Sequence, residues 1–258
     1  MLFQKIYLLF FLILDLSAAA VIKVFRDYSA PNYAGSDDSI YLWSSIATFN
    51  SYPTDGQVVK IAEDAYKSML SDAWYNVDPE RIPSVMTAMA YQSGRSRWEV
   101  YLASSARGTD SLIYEVTKAM NEPRNGAVWD TVPTSLKNAL SACSRESTEK
   151  QHQFDAKCGE MNVMLEVAVN TRRDPADMAS RSRIVSWQGQ YNGENGRYRG
   201  GSIKPPCWSE SGKGFGCRDT LRQLASNIDV LTADRESYAN NMPVLVVPQP
   251  MFPGYEDC

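Results

Sequence analysis

The chain has one histidine, His152, in 258 residues. Every mechanism that needs two is excluded, HExxH zinc hydrolysis among them, and a Ser-His-Asp triad would have only His152 to use. No Gly-x-Ser-x-Gly elbow presents a serine nucleophile. There is no Asn-x-Ser/Thr sequon, so glycosylation says nothing about compartment. Beyond the N-terminus no apolar run is long enough for a bilayer, which takes about 20 residues. Excess positive charge is missing too: the formal net charge is −4, unlike a generic nucleic-acid coat protein. The cysteines number five, Cys143, Cys158, Cys207, Cys217 and Cys258, and an odd count leaves one thiol outside any set of disulfides. His152 has no partner at a familiar ligand spacing from Cys158, and reads as a surface-loop histidine.

What is present begins with a leader. Lys5 is a basic n-region, Ile6 to Leu14 an apolar h-region, and Ser17-Ala18-Ala19-Ala20 a small-residue cleavage site. Residues 1–20 therefore read as a signal peptide cleaved near Ala20. The mature chain is expected to be secreted, with no membrane association. Residues 21–56 are polar and aromatic, with Pro31, Gly35, Pro53 and Gly56, and read as a loosely structured N-terminal extension. Residues 57–258 suffice for one domain with a sizeable core, ending in a proline-rich tail.

Periodicity supplies the elements. Val58, Ile61, Ala62, Ala65, Tyr66, Met69 and Leu70 recur at helical spacing. Val85–Tyr91 and Trp98–Ala103, joined by a Gln-Ser-Gly-Arg-Ser turn, read as an antiparallel hairpin. Helices are expected from Ser111 to about Asn121, from Ser135 to Cys143, from Cys158 to Asn170 and from Cys217 to Ser226. Pro123 to Pro133 reads as loop, and Asn192 to Pro206 as a glycine-rich loop. Strands are expected at Arg183–Tyr191, Ile228–Leu231 and Val244–Val247. A hairpin followed by strands alternating with helices implies an α/β layered fold around a mixed sheet.

Three cysteines sit at or just before helix starts: Cys158, with Glu160 two residues on; Cys207, after Pro205-Pro206; and Cys217, which opens the next helix. Helix N-termini favour thiolate, the metal-binding form. Three thiolates leave one tetrahedral position of zinc for water, and a neighbouring carboxylate can carry that water's proton. The other reading of the same residues is a Cys207–Cys217 disulfide closing a glycine-rich loop, with Cys158 free.

Cys158-Gly159-Glu160, then a strand, then Pro206-Cys207 and Cys217 opening a helix before another strand, resembles the zinc-dependent nucleobase deaminase superfamily, and most nearly its secreted toxin- or effector-type members. Its signature is His- or Cys-x-Glu followed by Pro-Cys-x-x-Cys. Here nine residues, Trp208 to Gly216, separate the last two cysteines instead of two. The resemblance implies a cytidine deaminase-like three-layer fold, an N-terminal β-hairpin in a mixed sheet, and helices on both faces. It implies Zn2+ on Cys158, Cys207 and Cys217, with Glu160 as the catalytic proton carrier. It implies hydrolytic deamination of a nucleobase in nucleic acid, nucleotide or nucleoside. The alternative is a non-catalytic, disulfide-stabilised effector that binds a host protein.

Two further expectations concern charge and stacking. Thr171 to Arg222 carries ten basic residues against five acidic ones, a net +5 that leaves −9 for the rest. That favours a phosphate-bearing substrate, or is simply a solvated face. Trp187, Tyr191, Trp208 and Phe215 lie near the motifs and are candidates to stack on a base, or to pack in the core. Cys143 and Cys258 remain as a candidate disulfide tying down the tail.

Overall fold

Alternation along the central strands decides the layering. In a computed structural model of the chain, Met86, Ala88 and Ala90 of β3 (Val85–Gln92) join one apolar cluster, while Met89 and Tyr91 join another on the opposite face. β4 (Trp98–Ser104) divides likewise: Trp98, Val100 and Leu102 to the first, Tyr101 and Ala103 to the second. A strand with apolar residues on both faces must be covered on both. The structure describes residues 21–27, 40–108, 113–116, 123–125, 132–147, 152–177, 182–209, 214–224, 228–232 and 245–247.

The first face is covered by α1 (Asp55–Asn76), whose seven periodic apolar residues are all buried. A capping box starts this helix: Gln57 N–H donates to Thr54 Oγ1 at 3.2 Å and Thr54 N–H to Gln57 Oε1 at 2.7 Å. The second face is covered by α2 (Thr134–Glu146), α3 (Gly159–Thr171) and α4 (Cys217–Leu224). Every residue of α3 from Gly159 to Val167 is buried, which makes it a core helix rather than a surface one.

The main sheet is completed by β1 (Phe25–Arg26), β2 (Trp43–Phe49), β7 (Ser182–Tyr191), β8 (Tyr198–Ile203), β9 (Ile228–Val230) and β10 (Leu245–Val247). Its order is β1-β2-β4-β3-β7-β8, with β10 beside β2 and β9 beside β7. All pairs are antiparallel except β7–β9. A separate pair joins β5 (Tyr114–Val116) to β6 (Pro123–Asn125). The chain is thus α/β with a mixed, mostly antiparallel sheet and helices on both faces.

Four sequence expectations change. Within residues 21–56, read as a loose extension, Trp43–Phe49 is instead part of the sheet, because β2 is buried and pairs with β4 from Ser44–Ala103 to Phe49–Trp98. Its serines hide the pattern: Ser44 and Ser45 are buried polar residues within the strand. Tyr114–Val116, within the helix expected over Ser111–Asn121, is instead the strand β5, and Pro123–Asn125, within the expected loop, is β6; their cross-strand pairing overrides local propensity. The glycine-rich loop contains β8, an edge strand with only Ile203 buried and hence no apolar alternation to reveal it. Residues 1–20 and Cys258 lie outside the described residues, as does most of the proline-rich tail.

Candidate metal centre

α3 enters the site because its first turn lies directly on the sheet. A Cβ on Gly159 would stand 2.2 Å from Thr87 Oγ1 and 3.2 Å from the Ala103 carbonyl oxygen, so only glycine permits this approach. Asn162 Nδ2 donates to the Ser104 carbonyl at 2.9 Å and fixes the helix to the end of β4. Cys158 is the N-cap residue, and the Glu160 side chain points inward from the first turn.

The second half of the site is a tight junction. Cys217 N–H donates to Cys207 Sγ at 3.0 Å, and Arg218 N–H donates to the Cys207 carbonyl at 3.1 Å. A Cβ on Gly216 would sit 2.1 Å from that carbonyl oxygen. Nine residues separate the two cysteines, yet their backbones touch. The nine-residue separation therefore does not move the second cysteine away from the first.

The structure adds a residue that the sequence reading had placed on the surface. His152 is fully buried, because its turn packs on the segment before α4. It forms a bridge with Phe215, Gln153 N–H donates to the Phe215 carbonyl at 3.0 Å, and the two rings meet edge-on at 5.2 Å. The ligand atoms of His152, Cys158, Cys207 and Cys217 all lie within 4.8 Å of one another. In a tetrahedral site with zinc–sulfur bonds of about 2.3 Å, sulfurs stand about 3.8 Å apart, so the cluster is the right size to hold a metal ion. Thiolate and imidazole donors suit a transition-metal ion rather than calcium or magnesium. All four described cysteines are free thiols, so no Cys207–Cys217 disulfide closes the loop. Cys143 is buried, with its thiol against Thr220; its pairing with Cys258 lies outside the described residues.

Electrostatics divide the thiols. Cys207 is held strongly as thiolate by hydrogen bonds from the Cys158 and Cys217 thiols and from the Cys217 N–H. Cys158 is pushed up by sharing its proton with Cys207 and by burial, and Cys217 chiefly by burial. Burial also raises Glu160, against opposing hydrogen bonds from its backbone N–H, from Ser186 and from the Cys217 thiol. Ser186 Oγ lies 2.9 Å from Glu160 Oε1 and 2.6 Å from Thr87 Oγ1. Neither hydroxyl stood out in the sequence, since serine and threonine on strands carry no motif.

Above these groups is a cleft of about 600 Å³, with Cys158, Glu160 and Cys207 in its wall. That is the size of small-molecule sites. Arg107, Lys157 and Lys204 line it, with Glu80 and Asp155 as its other charges besides Glu160. Only Lys204 of these cations comes from the basic segment. Of the four aromatics near the motifs, Trp187 packs in the core against the opposite face of the sheet, and Phe215 is buried against His152. Tyr191 stacks edge-on with Trp74 of α1. Trp208 alone is exposed, with the Arg218 guanidinium 3.3 Å over its ring. Phe154, which the sequence did not single out, is 54% exposed and lines the cleft.

No protein-family model matches the chain, and no curated protein or solved structure does either.

Proposed function

We propose that this chain is a secreted zinc-dependent hydrolase that deaminates a nucleobase. The observation that carries the reading is the convergence of Cys158, Cys207 and Cys217 in one cluster, beside a cleft whose wall includes Cys158, Cys207 and the buried Glu160 carboxyl. The motif order behind the deaminase resemblance supports it. So does the order in which, with β5, β6, α2 and β8 interposed, a helix and a hairpin precede the Cys158 helix, and β7 precedes the Cys217 helix and β9, a strand parallel to β7.

Zinc bound there supplies Lewis-acid activation of a water for attack on the amino-bearing ring carbon. Glu160 would take one proton of that water and pass it to the ring nitrogen, then take the proton of the newly added hydroxyl and deliver it to the departing amino group, which leaves as ammonia. The Ser186 hydroxyl donates to Oε1 and fixes the carboxyl's orientation, while Thr87 donates to Ser186. The basic residues of the cleft, Arg107, Lys157 and Lys204, favour a substrate bearing phosphate. The free thiols of Cys207 and Cys217 count against the alternative of a disulfide-stabilised binder.

The test is product formation, uracil or hypoxanthine, from single-stranded DNA, RNA and free nucleosides by zinc-loaded protein lacking residues 1–20. Wild type should turn over at least one of these, and Glu160→Gln should not. Equal inertness of the two on every substrate, at full zinc occupancy, sinks the proposal.

A further inference from the structure

His152 lies in the same cluster as the three cysteines, so a closed Cys3His set is the obvious assignment. Four protein ligands are the arrangement of a structural zinc, with no position left for water. The hydrogen bonds of the imidazole argue for a different set. Nδ1 lies 3.2 Å from the backbone nitrogen of Phe154 and 3.2 Å from that of Ala156, and both N–H groups donate to it. An acceptor of N–H groups must offer a lone pair, so Nδ1 carries no proton. That excludes the imidazolium and the Nδ1–H tautomer together. The neutral ring then holds its single proton on Nε2.

Nε2 is the atom that faces Cys217 Sγ, at 3.4 Å. A protonated ring nitrogen has no in-plane lone pair for a metal. A histidine that ligates through Nε2 turns its Nδ1–H toward a carbonyl, carboxylate or water. This turn does the reverse and presents donors to Nδ1. It does so at a conformational cost, since Asp155 and Ala156 both adopt the left-handed backbone, at φ 50° and 55°. His152 is fully buried, so no solvent competes for its two nitrogens.

We propose that His152 is not a metal ligand but a positioning residue, donating from Nε2–H to the Cys217 thiolate, so that the centre is a three-thiolate one with its fourth position free for water. The inference rests on the metal-centre reading above and goes beyond it. Three thiolates and a dication sum to −1, and strongly donating thiolates weaken the ion's pull on water. N–H···S bonds withdraw part of that charge. Cys217 receives one from His152, and Cys207 receives one from the Cys217 backbone. The sole histidine therefore supplies the charge relief that an all-cysteine ligand set needs.

Because the chain has one histidine, 15N-histidine labelling of untagged protein reports this ring alone. Long-range 1H–15N spectra of metal-free and 113Cd-loaded protein should both show the Nε2–H tautomer, with no 113Cd coupling at the ring. Azide should perturb the visible bands of the Co2+-substituted protein as it enters the fourth position. Coupling of 113Cd to the imidazole, or a switch to Nδ1–H on loading, overturns the inference and leaves a closed Cys3His site. A cobalt spectrum indifferent to azide does the same. Among variants, His152→Phe should retain one metal per chain with affinity lowered about 10–100-fold. His152→Gln, which keeps an amide donor, should recover most of that loss. Wild type that takes up no metal removes the centre itself, and this role with it. If neither variant folds, the wild-type spectra still decide.

Discussion

Ser186 donates its hydroxyl hydrogen to Glu160 from the sheet to the helix, across 2.9 Å of buried interface. Thr87 lies on the neighbouring strand, paired in register with Ser186, and its hydroxyl completes the chain. Ser186→Ala removes the hydroxyl that donates to Glu160 Oε1 and strands the Thr87 hydroxyl. The variant should lose about 1–2 kcal/mol of stability, the usual cost of an orphaned buried polar group. Turnover in the proposed deamination should fall about 10–100-fold with metal content unchanged, as a positioning loss does. Urea unfolding, zinc content and turnover on one preparation check all three. Full activity would show that Glu160 is held by other means.

Gly159→Ala tests the contact between motif helix and sheet. The new Cβ would meet Thr87 Oγ1 at 2.2 Å and the Thr87 Cβ at 3.0 Å. The helix must lift, at a cost of about 1–3 kcal/mol for overpacking, and carries Cys158 and Glu160 with it. Metal affinity should therefore fall together with thermal stability. The double variant Gly159→Ala/Thr87→Ala removes the nearest clashing atom and should recover part of both. A Gly159→Ala protein with unchanged melting temperature would mean that the helix is not held this close.

Glu166 is a second buried carboxyl of the same helix, with neither oxygen hydrogen-bonded among the described residues. Burial and, secondarily, the charge of Asp27 raise it well above the ordinary carboxylate range. The unfolded chain releases this proton near pH ~4.3, and the folded chain only at a higher pH. Its contribution to stability is thus fully present below about pH 4 and lost as pH rises toward the folded value, with a slope of at most ~1.4 kcal/mol per pH unit. Glu166→Met should consequently gain on wild type as pH increases from 5 to 8. Unfolding free energies measured across that range check the slope, and a difference independent of pH contradicts the assignment.

Much of the candidate site was legible because Cys158, Glu160 and Cys217 stand at helix starts, where sequence and chemistry coincide, while Cys207 lies in the irregular segment after β8 and was marked only by the prolines before it. Strands with alternating or continuous apolar residues, such as Val85–Gln92 and Ser182–Tyr191, were legible for the same reason. His152 was not, since its burial depends on a turn docking against Phe215, far along the chain. Thr87 and Ser186 were invisible because their role exists only once β3 and β7 pair. The cations of the cleft were misplaced for a related reason. A net +5 segment is a one-dimensional fact, whereas Arg107 and Lys157 come from outside it and meet Lys204 only in the fold.

That meeting gives the last prediction. Arg107 and Lys204 are exposed, and both line the cleft that reaches Glu160. If they hold a substrate phosphate, reversing Lys204 to glutamate should weaken a nucleotide or oligonucleotide and spare a nucleoside, which has no phosphate to lose. The expected loss in kcat/KM is about tenfold at low ionic strength. It should shrink as added salt screens exposed charges beyond about 10 Å. Arg107→Glu should act in the same direction, and the double variant should lose more than either. Zinc content and unfolding should not change, because neither side chain touches the cluster. The measurement is kcat/KM for a matched pair, a nucleoside and a short oligomer containing the same base, at two salt concentrations. Equal losses on both would mean that the cations support the cleft wall and do not read phosphate.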